Sequence, residues 1–287
     1  MTVTGRVTAT NGRRPLEDVL VTFGGQTVRT DSTGTFRLEW AGTMPPGVGR
    51  VTLEGRLILA RSTGMAVNAS RSIELDAISI GDGFSLDYYR QLVRDGYEHP
   101  NELRPLRRWT RAPMIYLRTV DDQGQAIDEA TLGHVARAIG DDTGAFTGER
   151  FGIAGIERGT GSREGVSGWI TVKWPNPAIA NICGRAQVAV DGGWIQLNHL
   201  NPGCSCGSSR IGSATVRHEI GHALGFFHTS SPDDLMFNTV RVCDGAVSSR
   251  ERLHAAIAYS RPNGNVDPDT DPQTTVNLRS LPVVVLP

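Results

Sequence analysis

One short stretch of the chain, His218-Glu-Ile-Gly-His222-Ala-Leu-Gly225-Phe-Phe-His228, has the residue types and spacing to hold a metal ion. On a helix, His218 and His222 are one turn apart and project from the same face. Gly225 accepts backbone angles that other residues resist, so the chain can turn there and bring back His228. Three imidazoles with an open fourth position are the ligand set of a catalytic zinc ion.

Glu219 follows the first of these histidines and is expected to point beside the same metal. A carboxylate in that place can take a proton from water, while zinc polarises a scissile carbonyl. The stretch therefore predicts metal-assisted hydrolysis with Glu219 as the general base. Two alternatives are a buried helix with hydrogen-bonded histidines and a structural zinc. A structural zinc, however, is normally closed by a fourth protein ligand.

The same stretch resembles the signature of the metzincin zinc peptidases, which have three histidines and a glycine at these offsets. The resemblance implies a zinc endopeptidase with His218, His222 and His228 as metal ligands and Glu219 as the catalytic residue. Metzincins also carry a methionine in a tight turn beneath the zinc, and Met236 matches it. Its position, eight residues after the third histidine, is similar to that in the matrixins.

Several departures from the known patterns leave the exact family open. Astacins and serralysins place a tyrosine two residues after the methionine, where this chain has Asn238. Matrixins hold a second, structural zinc in a histidine-rich loop before the active-site helix, and no such loop stands out here. The first 112 residues contain no cysteine, so the cysteine switch of matrixin propeptides is absent. The resemblance therefore implies the clan, near the matrixins, without a firm family.

The resemblance also implies where a peptide substrate binds. In metzincins an edge strand above the cleft pairs with the extended substrate, which gives affinity with little side-chain selection. The residues expected to form this strand are Ala186, Gln187, Val188 and Ala189. The segment between the methionine and Cys243 is expected to line a medium-sized apolar pocket for the residue after the cleaved bond. Its candidate lining residues are Thr239, Val240 and Val242.

Four cysteines, Cys183, Cys204, Cys206 and Cys243, all lie in the second half of the chain. An even number clustered in one region favours two disulfides and an exported protein. Cys204 and Cys206 are too close to pair comfortably with each other, so each is expected to pair with one of the other two. Free thiols in a cytosolic enzyme and a metal site at Cys204 and Cys206 are the alternatives.

The order of predicted elements indicates an α+β protein. Short alternating strands separated by turns, such as Gly24-Gly25, fill the first 80 residues, and Arg56 to Leu59 continues this pattern as a strand. Strands at 114–120 and 168–174 and a hairpin around Asp191 follow in the second half. Asp128 caps a helix, and the capping box Ser248-Ser-Arg-Glu251 opens the last one.

We accordingly divide the sequence into four segments. Residues 1–80 form a small β-sandwich and resemble the transthyretin-like regulatory domain that accompanies many secreted peptidases. Residues 81–112 are a connector whose arginines are expected to be solvated. Residues 113–262 form a metzincin-like domain with a twisted mixed sheet, an active-site helix and a C-terminal helix. Residues 263–287 are an Asp/Pro-rich tail.

Composition limits the remaining classes of function. Of 287 residues, 39% are hydrophobic, which suffices for a real core. The formal net charge of −1 does not favour a nucleic-acid partner. No apolar run is long enough to span a membrane. The opening residues lack a signal-peptide pattern, and we expect that a leader has been removed.

Together these observations predict a secreted, monomeric zinc endopeptidase that acts on a protein or peptide substrate. Calcium is a second candidate metal, but no set of oxygen ligands can be assigned to it. The alternative is a catalytically silent or single-substrate zinc-domain protein that acts mainly as a binding or adhesion module. The intact Glu219 argues against a silent domain.

Overall fold

The computed structural model describes residues 1–41, 47–67, 70–207, 209–240 and 242–287. Contacts divide the chain into two compact units. The first contains Met1–Leu86 and Ser260–Thr275, and the second contains Asp87–Tyr259 and Val276–Pro287. The segment that the sequence predicted as a tail, residues 263–287, is therefore shared between the two units.

The first unit is built from two β-sheets, which confirms the predicted sandwich. One sheet has the order β4-β1-β7 and the other has the order β3-β2-β5-β6. Alternate residues of both sheets, such as Val7 and Val21, are fully buried and form one apolar core. The strands are β1 (Thr2–Ala9), β2 (Leu20–Phe23), β3 (Gln26–Arg29), β4 (Thr35–Glu39), β5 (Gly47–Glu54), β6 (Arg61–Val67) and β7 (Arg71–Ala77).

The turn between β2 and β3 is where the sequence predicts it. Gly24 and Gly25 have φ angles of 55° and 77°, which glycine adopts without strain. The prediction of a strand from Arg56 to Leu59 is wrong, because the backbone there does not join a sheet. The amide of Leu59 instead donates to Ile78, 2.8 Å away, and the strand begins at Arg61.

Residues 260–275 pack against the sandwich of the first unit through a buried ionic cluster. The guanidinium of Arg261 donates to Asp269 from Nε at 2.7 Å and from Nη2 at 2.8 Å. Arg61 donates to the same carboxylate at 3.2 Å, and its other terminal nitrogen donates to Asp271 at 3.0 Å. Two arginines thus neutralise the acidic residues of a segment that the sequence predicted as part of an Asp/Pro-rich tail.

The second unit contains a six-stranded mixed sheet of order β13-β11-β12-β10-β8-β9. The strands β12, β10, β8 and β9 run parallel to one another, whereas β11 is antiparallel to β12 and β13 is antiparallel to β11. The elements are α1 (Leu86–Arg94), β8 (Met114–Arg118), α2 (Glu129–Phe146), β9 (Gly155–Gly159), β10 (Trp169–Lys173), β11 (Gly184–Gln187), β12 (Trp194–Leu197), α3 (Ser213–Leu224), α4 (Ser249–Tyr259) and β13 (Val285–Leu286).

Both predicted helix caps are confirmed. The carboxylate of Asp128 accepts a hydrogen bond from the amide of Thr131 at 2.8 Å, at the start of α2. At the start of α4, the amide of Glu251 donates to the hydroxyl of Ser248, and the amide of Ser248 donates to the carboxylate of Glu251. These reciprocal bonds satisfy amides that have no partner within the helix.

The predicted hairpin around Asp191 is present, but its first strand ends earlier than expected. Ala189 has a φ of 41°, and its amide donates to the carbonyl of His222 at 3.1 Å. The chain therefore leaves the sheet after Gln187 and turns onto α3. This turn binds the strand directly to the helix that carries the first two histidines.

The connector is more buried than its arginine-rich sequence predicted. Trp109 is buried, and its indole nitrogen donates to the carbonyl of Ala223 at 2.8 Å, near the end of α3. Arg107 is buried as well, and burial lowers its pKa to about 10. Trp109 therefore supports α3, and neither side chain faces solvent. Among the described residues, no helix is both long and apolar enough to cross a membrane.

Candidate metal centre

Helix α3 and the turn after it bring the three histidines together. His218 and His222 lie one turn apart within α3, which ends at Gly225 with a φ of 120°. A Cβ atom at Gly225 would overlap the carbonyl oxygen of Arg107, so a larger residue is excluded by space as well as by backbone angle. After this glycine the chain returns and places His228 beside the first two histidines.

The ligand atoms of the three imidazoles converge on one point. They all lie within 4.8 Å of one another, and Nε2 of His222 is 3.0 Å from Nε2 of His218 and 3.2 Å from Nε2 of His228. All three side chains are buried. Among the residues that the structure describes, this is the one group of three or more histidine, cysteine or carboxylate side chains placed to hold a metal ion.

Each imidazole is oriented by an acceptor on its other nitrogen. Nδ1 of His218 donates to the carbonyl of Leu235 at 2.7 Å, and Nδ1 of His222 donates to the carbonyl of Phe226 at 2.8 Å. These bonds place the proton on Nδ1 and leave the lone pair of Nε2 facing the centre. Burial lowers the pKa of His218 to about 4 and that of His222 well below its ordinary value. Both rings are therefore neutral, as metal ligands must be.

The third histidine is oriented by a carboxylate that the sequence did not reveal. Nδ1 of His228 lies 2.5 Å from Oε1 of Glu98, in the loop after α1. Burial raises the pKa of Glu98, but the hydrogen bond and charge of His228 outweigh it and hold the pKa below its ordinary range. A carboxylate behind a ligating histidine is a common supporting group of metal sites. No local pattern could have found Glu98, because it is 130 positions before its partner.

Glu219 lies beside the histidines with an unsatisfied oxygen. The side chain is buried, and Oε2 has no hydrogen-bond partner among the described residues. Burial raises its pKa well above the ordinary value. Gly184 in β11 makes room for the carboxylate, since a Cβ atom there would be 2.5 Å from Oε1 of Glu219. A buried carboxylate without a partner is costly to keep and is typical of a functional site.

Met236 packs against Gly221 of α3. It is fully buried, and a Cβ atom at Gly221 would overlap its sulfur atom. The carbonyl of Met236 accepts from the amide of Thr229 at 2.8 Å, and its own amide donates to the carboxylate of Glu251 at 2.7 Å. The methionine thus supports the histidine-bearing helix from below, and its turn is tied to the start of α4.

A cavity of about 210 Å³ opens beside the histidines. Thr239 and Val240 line it, as predicted, whereas Val242 is not part of its wall and is 58% exposed. Asn238 is also in the wall, and its amide donates to the hydroxyl of Tyr97 at 3.0 Å. The lining residues are Asn181, Ile182, Cys183, Gly184, Thr215, His218, Glu219, Asn238, Thr239, Val240 and Pro287.

Two disulfides cross-link this part of the chain, and Cys183 of the first one lines the cavity. Cys183 pairs with Cys204, and Cys206 pairs with Cys243, which resolves the pairing that the sequence left open. The first bond fixes the residue before β11. The second bond joins the loop before α3 to the segment after Met236.

The strand predicted to bind substrate has an additional neighbour. β11 contains Ala186 and Gln187, whereas Val188 and Ala189 follow its end. It pairs with β12 on one side and with β13 on the other, so it is not a free edge. The sequence did not predict β13, because two residues give no periodic signal.

No protein-family model matches this sequence, and no curated protein matches it. Parts of the chain are similar to two mutant type II cohesin–X-dockerin complexes from Acetivibrio cellulolyticus, at 18% and 19% identity. A third similar structure is a candidate carbohydrate-binding protein from Bacteroides uniformis, at 13% identity. The matches cover 28%, 29% and 27% of this chain and 58%, 65% and 41% of those chains. Each TM-score is 0.23, which is too low to support an argument about fold or function.

Proposed function

We propose that this protein is a zinc-dependent endopeptidase of the metzincin type. The observation that carries the proposal is the convergence of three buried imidazoles beside the carboxylate of Glu219, whose Oε2 has no hydrogen-bond partner among the described residues. The turn at Gly225 and the support from Met236 agree with the same assignment. The two disulfides favour a place of action outside the reducing cytosol.

The donor set fits zinc. His218, His222 and His228 each present the lone pair of Nε2, and nitrogen ligands of this kind suit zinc better than calcium, which prefers oxygen. When bound, zinc supplies Lewis-acid polarisation of water and of the peptide carbonyl. Glu98 and the two backbone carbonyl acceptors hold the imidazoles in the orientation that this binding requires.

The carboxylate of Glu219 moves the proton. It accepts a proton from the attacking water and then donates it to the nitrogen of the leaving amine. The adjoining cavity, with Thr239 and Val240 in its wall, is large enough for a medium-sized side chain of the substrate.

The proposal is tested by incubating the zinc-loaded protein with a diverse peptide library and reading new termini by mass spectrometry. We expect cleavage by the wild type and a loss of about 10²- to 10⁴-fold in Glu219→Ala, since a general base contributes on that order. Glu74→Ala is the matched control, because Glu74 is an exposed residue of the first unit. It should cleave like the wild type.

Zinc content is measured on the same proteins by elemental analysis. We expect Glu219→Ala to keep one zinc ion per chain and His228→Ala to lose most of it. Cleavage by Glu219→Ala at the wild-type rate would refute the role of the carboxylate. Full zinc content in His228→Ala would remove this histidine from the centre.

A further inference from the structure

A segment of the chain itself lies along the strand that the resemblance assigns to substrate. β13 pairs antiparallel with β11, with Leu286 opposite Ala186 and Val285 opposite Gln187. One residue further on, the amide of Val188 donates to the carbonyl of Val284 at 2.9 Å. This is the backbone pairing by which an extended peptide adds to the edge of a sheet.

The side chains of this segment alternate between two environments. Val284 and Leu286 are nearly buried and form an apolar cluster with Val188 and Phe227. Val283 and Val285, in contrast, are 59% and 44% exposed. The groove therefore holds every second side chain of the segment in an apolar contact, as expected for a bound strand.

The same segment reaches the metal centre. The carbonyl oxygen of Pro287 lies 3.2 Å from Nε2 of His228, and Pro287 lines the cavity that contains Glu219. At the other end, Nη1 of Arg107 donates to the carbonyls of Val188 and Pro282, at 3.1 Å and 2.9 Å. The buried side chain of Arg107 thus connects the residue after β11 with the segment that pairs with this strand.

We propose that residues 282–287 are the resident occupant of a peptide-binding groove beside β11, and that an incoming peptide must displace them. The groove selects extended peptides with apolar side chains at alternate positions, because this is what its occupant presents. The inference deepens the proposed peptidase function, on which it rests for the nature of the competing ligand. In the resting protein, residues 282–287 therefore fill the groove in which a peptide would bind.

The test compares two double variants that carry the same charges in the same segment. Val284→Asp with Leu286→Asp places carboxylates in the apolar cluster, whereas Val283→Asp with Val285→Asp places them on the exposed side. Both are made in a Glu219→Ala background, which prevents cleavage. The probe is a fluorescein-labelled peptide with the sequence of residues 281–287, and its binding is measured by fluorescence anisotropy.

We expect the inward variant to bind the probe about tenfold more tightly than the outward variant. The apparent affinity of a site falls with the fraction of molecules in which it is open, and burying a carboxylate should open it. Equal affinity in the two variants would overturn the proposal.

Amide exchange gives a readout that requires neither metal nor cleavage. The amide of Val188 donates to Val284, whereas the neighbouring amide of Ala189 donates to His222 in α3. Of these two amides, we expect Val188 alone to lose protection in the inward variant, and continued protection of Ala189 shows that the fold is intact. Unchanged protection of Val188 would also overturn the proposal.

A further outcome separates this proposal from the proposed function. If the inward variant binds the probe tightly but restoring Glu219 produces no cleavage, residues 282–287 do occupy the groove and the peptidase assignment fails.

Discussion

At the scale of single residues, the histidine cluster depends on a carboxylate that lies outside it. Glu98 lies 2.5 Å from Nδ1 of His228 and is partly buried, with 27% of its side chain exposed. A carboxylate in this position fixes the ring and increases the basicity of its other nitrogen. The third histidine, which lies beyond the end of α3, thereby gains the orientation that the helix gives to the first two.

Replacing Glu98 tests this role directly. Glu98→Gln keeps a hydrogen-bond acceptor of the same size but removes its charge, so we expect zinc affinity to fall by about 10- to 100-fold. The measurement is competition with a chromophoric zinc chelator at neutral pH. Glu102→Gln is the control, because it changes an exposed residue of the same loop. Equal affinity in both variants would show that Glu98 is a bystander.

The convergence of the three histidines was predictable from sequence, and the carboxylate that orients the third one was not. His218, His222 and His228 lie within eleven residues, so helix geometry and one glycine turn determine how they meet. Glu98 reaches the same point through the packing of a distant loop, and a single sequence contains no signal for such a contact.

At the scale of elements, the walls of the cavity are held in place by cross-links between loops. The Cys206–Cys243 bond joins segments 37 residues apart. The carbonyl of Cys243 also accepts from the amide of Ala214 and the hydroxyl of Ser213, both at 3.2 Å, in the first turn of α3. The bond therefore holds a backbone acceptor against helix amides that have no partner within the helix.

Removing this disulfide should destabilise the second unit. We expect the double variant Cys206→Ser, Cys243→Ser to lose about 2–4 kcal/mol in free energy of unfolding, mainly because the unfolded chain is less restricted. Urea unfolding followed by tryptophan fluorescence measures the change. The wild type under reducing conditions is the comparison and should lose at least as much. A midpoint unchanged from that of the oxidised wild type would contradict the prediction.

The elements that the sequence predicted well are those with local signals. The helix caps at Asp128 and Ser248 and the turn at Gly24 depend on neighbouring residues alone. The missed elements depend on distant partners. β13 exists because β11 offers its backbone groups, and the stretch before Arg61 bonds to the segment after β7 instead of entering a sheet.

At the scale of the whole molecule, the first unit is discontinuous in sequence. Its second part, Ser260–Thr275, follows the last helix of the second unit. Within the first unit, the amide of Ser62 donates to the carbonyl of Asp269, and the amide of Asp271 donates to the carbonyl of Ser62. The order of segments along the sequence therefore differs from their grouping in space, which composition alone cannot reveal.

A substitution in the ionic cluster of the first unit can measure how strongly Ser260–Thr275 stabilises this unit. Asp269 is 1% exposed and accepts hydrogen bonds from Arg61 and Arg261. Asp269→Asn removes the charge that two buried guanidinium groups share, so we expect a loss of about 3–5 kcal/mol in stability of this unit. Amide exchange of β1 and β7 measures this loss of stability, because these paired strands belong to the sandwich.

The control is Asp18→Asn, which breaks an exposed ion pair with Arg29 and should leave the exchange of the same amides unchanged. Equal exchange in the two variants would mean that the segment contributes little to the unit it joins.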